Sequence, residues 1–474
     1  MSASDIIAEP GQSRVDMVMA AVRRQIASHH SQRGAKLSSI RAMAQRMGVS
    51  KSTVVEAYDR LVAEGVIAAR PSAGFFASGH LPPLSLASLA PGDPPVHRDV
   101  DPVWMTRQAL DHDRDLLKPG CGWLPEAWMP SDDIRRALRR MARDEQAHLV
   151  NYASPLGLAP LRQVLSRRMA DRGIEAPPPQ IMITESGTHA VDLLCRFLLK
   201  PGDTVLLDDP CYFNFHAMMR AHRVNVVSVA YTANGPDLAQ LEQVLGAHRV
   251  RLYITNSALH NPTGATLSPV VAHRVLKLAE AHDLVIIEDD IFADFEHEPA
   301  PRLAAFDGLE RVIHVGSFSK TLSAAVRCGF IAVRPDWVDE LVDLKLATSF
   351  GGGAFSADLV LRLLTDGAYR RHMSGVRACL ADAMGKVIAQ LAAFGITPWL
   401  EPKAGMFLWC KLPGALDAAN VARHALADGV VLAPGQAFSL KDEASGFVRF
   451  NVAQTLDPAI FPAVERAMLQ AHAE

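Results

Sequence analysis

The sequence has no apolar run approaching the roughly eighteen residues needed to span a bilayer, so no helical membrane span is expected. Its first stretch, MSASDIIAEPGQ, has no basic residue ahead of its short apolar piece. It does not read as a secretory signal, and a cytoplasmic location is expected. The six cysteines, Cys121, Cys195, Cys211, Cys328, Cys379 and Cys410, are too scattered for a metal knuckle or a C-x-x-C redox pair. Free buried thiols and no metal are expected. There is no internal repeat, and no low-complexity tract beyond one proline-rich stretch. What is present is ordinary globular usage. The chain has 474 residues, 49% hydrophobic and 21% charged, enough for two or three domains and too apolar for a disordered or fibrous protein.

The formal charge of −3 hides an asymmetry. Residues 1–80 carry ten Lys and Arg against six Asp and Glu, a balance of +4, whereas the remainder carries 38 against 45, a balance of −7. A small basic head, able to meet phosphate backbone, precedes a mildly acidic body. Between them HLPPLSLASLAPGDPPVHRDVDP, residues 80–102, holds six prolines and no long apolar period, the composition of a semi-rigid linker. The expected organisation is a head over 1–79, a linker over 80–114 and a body over 115–474.

In the head, Val15, Val18, Val22 and Ile26 recur every three or four residues, the stripe of a helix with one buried face. A second short helix fits Ser39 to Met47, Gly48 and Val49 make a turn, and Ser50 can cap a third helix through Glu64. On that helix Val54, Val55, Tyr58, Leu61 and Val62 are expected inside, with Lys51, Ser52, Thr53 and Ala57 outside. VIAAR and GFFAS read as two strands of a wing around residues 71–74. This is a helix-turn-helix layout, in which the second helix of the pair enters the major groove. The periodicity alone also fits any three-helix bundle. The stretch KLSSIRAMAQRMGVSKSTVVEAYDRLVAEGVIAARPSAGFF is more specific, and residues 14–78 resemble the winged helix of GntR-type transcription regulators. The resemblance implies double-stranded DNA as partner, contacted by Ser39 and Arg41 on the second helix and by Ser50, Lys51, Ser52 and Thr53 on the recognition helix. Ser38 stands where that family usually has proline, and Pro71-Ser72-Ala73 replaces part of its glycine-rich wing tip.

Downstream, VLLDD (205–209), RLYITN (251–256), LVIIEDD (284–290) and VIHVGS (312–317) suit buried strands. Helical patterns such as AVDLLCRFLL (190–199) and SPVVAHRVLKLAEAHD (268–283) lie between them. The alternation predicts a mostly parallel sheet covered on both faces. Five segments put unusual chemistry at strand ends or helix starts, where ligands sit in such sheets. Singly each is weak, since a lone lysine is usually a surface charge and a lone Asn-Pro a turn. Their joint order carries the weight.

With GSFSKTLSAAVRCGF (316–330), the body resembles fold type I aminotransferases, the class I pyridoxal phosphate enzymes, over residues 115–472. The match implies that Lys320 forms the Schiff base with pyridoxal 5′-phosphate, with Ser317, Ser319 and Arg327 as phosphate ligands. ITESGTHAVDLL (183–194) supplies the other phosphate cradle, Ser186, Gly187 and Thr188, at a helix start. In LVIIEDDIFADF the resemblance implies Asp289 as the partner of the pyridine nitrogen, and Phe292 stands where the family has tyrosine. The missing hydroxyl costs about 1 kcal/mol; binding is expected to survive, and the Lys320 linkage to keep its proton to higher pH. Asn261 in HNPTG is the remaining donor to the cofactor's phenolic oxygen, and Tyr212 in DDPCYFN packs on its ring. NYASPLGLAPLRQVL resembles the segment whose tyrosine, here Tyr152, reaches the phosphate in a neighbouring subunit, which implies a homodimer. By the same resemblance Arg449 in GFVRFNVA is the expected clamp for the substrate α-carboxylate.

A GntR head joined to such a body resembles the MocR subfamily of bacterial regulators. The implied fold is an N-terminal winged helix-turn-helix, all-α with a small β-wing, plus an α/β fold type I transferase domain with a mostly parallel sheet and a smaller C-terminal α+β part. The implied function is a transcriptional regulator that senses pyridoxal phosphate or a small amino compound as effector. The alternative is a working aminotransferase, from amino acid to 2-oxo acid, carrying an accessory head. Phe292 and Ala324-Ala325, the latter where proline and glycine are common, point to slow chemistry. A third reading keeps the body as a dimerisation scaffold, against which Lys320 and its partners argue.

Overall fold

The computed structural model describes residues 13–28, 35–70, 73–78, 110, 116–144, 150–439 and 441–473. The N-terminal stretch before residue 13, the expected linker apart from Leu110, and Pro71-Ser72 of the expected wing tip lie outside them. The chain forms two compact units, Met1–His97 and Arg98–Glu474. No helix among the described residues is long and apolar enough to cross a membrane.

The first unit holds helices α1 (Arg14–Ser28), α2 (Ile40–Met47) and α3 (Lys51–Ala63), then an antiparallel hairpin of β1 (Ile67–Arg70) and β2 (Gly74–Ala77). Val18, Val22, Met43, Val54, Ala57, Tyr58 and Leu61 are fully buried in its core. The Tyr58 ring meets Phe75 of the hairpin edge-on at 4.8 Å, and its hydroxyl donates to the Ser38 carbonyl at 2.9 Å. One expectation is corrected. Val55 and Val62 are 39% and 37% exposed, whereas Ala57 is buried. Residues 54, 57, 58 and 61 follow the i, i+3, i+4, i+7 stripe, and at 3.6 residues per turn 55 and 62 fall to its side.

In the second unit β3 (Ile181–Thr184), β4 (Thr204–Asp209), β5 (Asn225–Thr232), β6 (Gly235–Pro236), β7 (Val250–Thr255), β8 (Val285–Asp289), β9 (Val312–Ser317) and β10 (Gly329–Ala332) build an eight-stranded sheet, in the order β3-β10-β9-β8-β7-β4-β5-β6. The run β5-β4-β7-β8-β9 is parallel; β10 is antiparallel to both its neighbours, and β6 to β5. Val205, Leu207, Leu252, Ile254 and Ile287 enter the core on one face, while Leu206, Tyr253 and Ile286 enter the core on the other. Both faces are dry, which is why these strands read as unbroken apolar runs rather than as alternation. A smaller antiparallel sheet follows, of β11 (Thr397–Pro398), β12 (Phe407–Lys411), β13 (Ala433–Pro434) and β14 (Phe447–Asn451), in the order β11-β12-β14-β13. With helices Ala418–Ala427 and Ile460–Ala473 it forms the C-terminal α+β part.

The three acids at the end of β8 separate by direction. Glu288 accepts the Leu303 and Ala304 N–H groups at 2.7 and 2.9 Å, satisfying the start of a short helix. Asp290 pairs with Arg302, which also grips Glu296; the Arg302 and Asp290 side chains are at most 1% exposed. Asp289 is left without a cation in ion-pair contact among the described residues. Replacing Arg302 with Leu strands two buried carboxylates, so Arg302→Leu is expected to cost about 3–5 kcal/mol, read from the midpoint of chemical denaturation.

Candidate functional site

Parallel strands deliver the loops after them to one edge of the sheet. Lys320 follows β9, Asn261 follows β7 and Tyr212 follows β4; Arg449 is the central residue of β14 in the smaller sheet. All four line one cavity of about 180 Å³, together with Gly120, Cys121, Gly122, Trp123, Asn214, Ile291 and Phe292. Phe292 meets Phe407 edge-on at 5.4 Å, so an apolar edge stands where the family's tyrosine would bring a hydroxyl.

Arg449 is 1% exposed. Its Nη1 donates to Asn261 Oδ1 at 2.8 Å and its Nη2 to the Gly120 carbonyl at 2.6 Å. The guanidinium lies over the Phe407 and Phe438 rings at 4.3 and 4.7 Å. Its Nε has no partner, and among the described residues no carboxylate pairs with it. Burial brings it down to about 10. Burial, then the nearby Arg449 charge, brings the Lys320 amine down to about 8. Asp289 accepts the Ile291 N–H at 3.3 Å, and burial pushes its carboxyl up to about 7. Three ionisable groups thus converge with their charged forms incompletely compensated, a pattern typical of sites that receive charged ligands.

A methyl group built on Gly122 would lie 3.7 Å from Arg449 Nη2 and 3.8 Å from Lys320 Nζ. This glycine therefore borders both cations and leaves the space beside them open. The two predicted phosphate segments also meet. A methyl on Gly187 would sit 3.5 Å from Ser317 Cβ and 3.1 Å from Ile291. Ser186 caps helix Gly187–Leu198 through the His189 N–H at 3.0 Å, and Ser317 Oγ accepts the Ser319 N–H at 3.3 Å. Thr188 and Arg327 are exposed on this side. Tyr152 lies apart from the cavity, 81% exposed, its ring 4.9 Å from Phe350.

Sequence reasoning missed the wall made by Gly120 to Trp123. Asn451 holds it, its Nδ2 donating to the Cys121 and Trp123 carbonyls at 2.9 and 2.8 Å. The signal was the glycine pair in KPGCGW just after the proline-rich stretch. Asn256 was missed too; its Nδ2 donates to the Asp289 carbonyl at 2.8 Å and fixes that strand end.

In the head, Ser39 and Ser50 cap α2 and α3, accepting the Ala42 and Thr53 N–H groups at 3.3 and 3.1 Å. Arg41, Lys51 and Ser52 stand exposed at these helix starts, and the two cations make no ion pair among the described residues. Thr53 is half-buried, its Oγ1 2.8 Å from Ser50 Oγ.

Because Arg449 is a buried cation without a counter-charge, Arg449→Met is expected to keep or raise stability, by up to about 1 kcal/mol, unlike Arg302→Leu. Calorimetric melting of both variants, without added ligands, checks the contrast.

Residues 125–466 match the family Aminotransferase class I and II, and residues 14–77 match the bacterial regulatory proteins of the gntR family. The HTH-type transcriptional regulator YdcR of Escherichia coli is 28% identical over 439 residues, covering 91% of this chain and 93% of the relative. Aromatic-amino-acid aminotransferase 1 of Thermococcus litoralis is 27% identical over 353 residues, covering 72% and 84%. The crystal structure of LysN, the α-aminoadipate aminotransferase of Thermus thermophilus in complex with N-(5′-phosphopyridoxyl)-L-leucine, superposes with a TM-score of 0.71 at 27% identity, over 78% of this chain and 95% of that one. With a gntR-type winged helix ahead of that body, the chain belongs to the aminotransferase class I and II family in its MocR arrangement.

Proposed function

We propose that this chain is a DNA-binding transcriptional regulator that takes up pyridoxal 5′-phosphate and senses that cofactor, or a small amino compound, through its aminotransferase-like body. The observation that carries the proposal is the buried Arg449 guanidinium, without a carboxylate, beside the Lys320 amine, in a chain whose head presents Arg41 and Lys51 at capped helix starts.

The residues suit the cofactor. When bound, pyridoxal phosphate supplies an aldehyde for an amine and a ring that draws electrons. Lys320 Nζ would hold the aldehyde; with its amine held near 8, more of it is unprotonated at neutral pH than of an ordinary lysine. Asp289 would hold the proton at the ring nitrogen, gaining the cationic partner that its burial lacks. Asn261 Oδ1 accepts from Arg449, which leaves Nδ2 to donate to the phenolic oxygen. Tyr212 would pack on the ring. Ser186, Gly187, Thr188, Ser317, Ser319 and Arg327 would bind the phosphate, with Tyr152 supplied by a second copy of the chain in a homodimer. Arg449 would clamp the carboxylate of the amino compound as a planar fork. Ser39, Arg41, Ser50, Lys51, Ser52 and Thr53 would meet DNA.

The second reading, a working aminotransferase, is favoured by the intact set of Lys320, Asp289, Asn261 and Arg449. Assay against amino donors and 2-oxo acids separates the two, since turnover far above about one per minute supports the enzyme.

Fluorescence anisotropy against the protein's own upstream DNA, at one fixed salt concentration, tests the regulator. Specific binding that shifts with pyridoxal phosphate is expected; binding no tighter than to random duplex in either state overturns it. Lys51→Ala is expected to weaken binding across sequences and to lower the salt slope by about one. Cofactor uptake, followed by absorbance, is expected to quicken as pH rises through about 8 and then level off, because only the unprotonated Lys320 amine attacks the aldehyde.

A further inference from the structure

A second recess, of about 390 Å³, opens on the body and takes no part in the site above. Arg168, Arg370 and Arg377 line it against one acid, Asp294. That acid is already committed. Both of its oxygens accept from Arg168 Nη2 at 2.8 Å, and it also accepts from Arg172 and from the Tyr369 hydroxyl. Those two arginines hold its carboxyl below the usual range despite its burial. Among the described residues Arg377 donates to the Asp294 backbone carbonyl, at 2.9 Å, and to no carboxylate. Arg370 is exposed and has no ion-pair partner among the described residues. Asp366, next to Gly367 of the rim, pairs with Arg140 and accepts the Ala368 N–H. Arg168 and Arg172 thus grip the one carboxylate of the recess, while Arg370 and Arg377 bring positive charge that no carboxylate among the described residues answers. Gly367 and Tyr369 of the rim flank the start of the helix Ala368–Ala392.

We infer that this recess binds a phosphate group of a small ligand, a second anion site distinct from the cofactor's. Planar guanidinium forks match phosphate oxygens in pairs, and a recess of this size suits a compact multiply charged anion better than an extended strand. Asp294 lies in the turn Ala293–Phe295, directly after Ile291 and Phe292, which line the other cavity. An anion here competes with Asp294 for Arg168 and so acts on the segment that walls the cofactor site.

The test is calorimetric titration of the full-length protein, first saturated with pyridoxal phosphate and dialysed, with inorganic pyrophosphate. Saturable binding at one site per chain is expected, weakened at least tenfold in Arg370→Glu and further in Arg370→Ala/Arg377→Ala. Arg370→Glu removes no intramolecular bond, so it is expected to fold and melt as the parent does. No saturable heat, or equal affinity in both variants, overturns the inference. A parallel titration with random-sequence duplex distinguishes the source of the phosphate. If the variants lose duplex affinity while pyrophosphate binding stays unchanged, the recess is DNA-contact surface and the small-ligand site is refuted.

Discussion

A guanidinium taken out of water with no counter-charge raises the free energy of a fold by several kcal/mol unless the surrounding structure compensates. Arg449 is such a group, and much of the body is arranged around keeping it in place. Two aromatic faces, one amide oxygen and one backbone carbonyl surround it, and none of them is a formal negative charge. That partial compensation leaves the cation in the fold and leaves its preference for an anion unmet. Lys320 and Asp289 share the condition with opposite signs of shift, because burial disfavours whichever form is charged.

In the same stretch of chain the neighbouring buried charges are matched, which sets Asp289 apart. Arg302 has two carboxylates to itself, and Glu288 is bonded by two N–H groups. The same three-acid stretch thus contains two structural carboxylates and one whose partner must come from outside. Strand geometry does the sorting, since successive residues at a strand end turn to opposite faces.

The parallel sheet was legible because dry strands on both sides must be apolar at every position, and VLLDD or LVIIEDD can hardly be anything else. Lys320, Asn261 and Arg449 were legible through the order of motifs around them rather than through any one residue. The Gly120 to Trp123 wall was not, because what makes it part of the site is a long-range bond from Asn451, about which local sequence says nothing. In the head, periodicity located α3 but blurred its face. Val55 looked like core by composition, while Ala57, small enough to let neighbouring elements close in, holds the buried position. The hydroxyls of Ser39 and Ser50 serve as helix caps, so the same atoms that shape the two helices are those the GntR resemblance assigns to DNA.

The wall of the cavity is tied by backbone bonds to the C-terminal part. Leu117 exchanges backbone bonds with Gly429 and Val431, Gly120 donates to the Val431 carbonyl, and the Gly120 carbonyl is held by Arg449. A ligand that draws on the guanidinium therefore pulls at a backbone atom of the segment that bonds Gly429 and Val431. Occupancy of the pocket and the position of the Gly120 to Trp123 wall become one variable, because a single guanidinium answers to both.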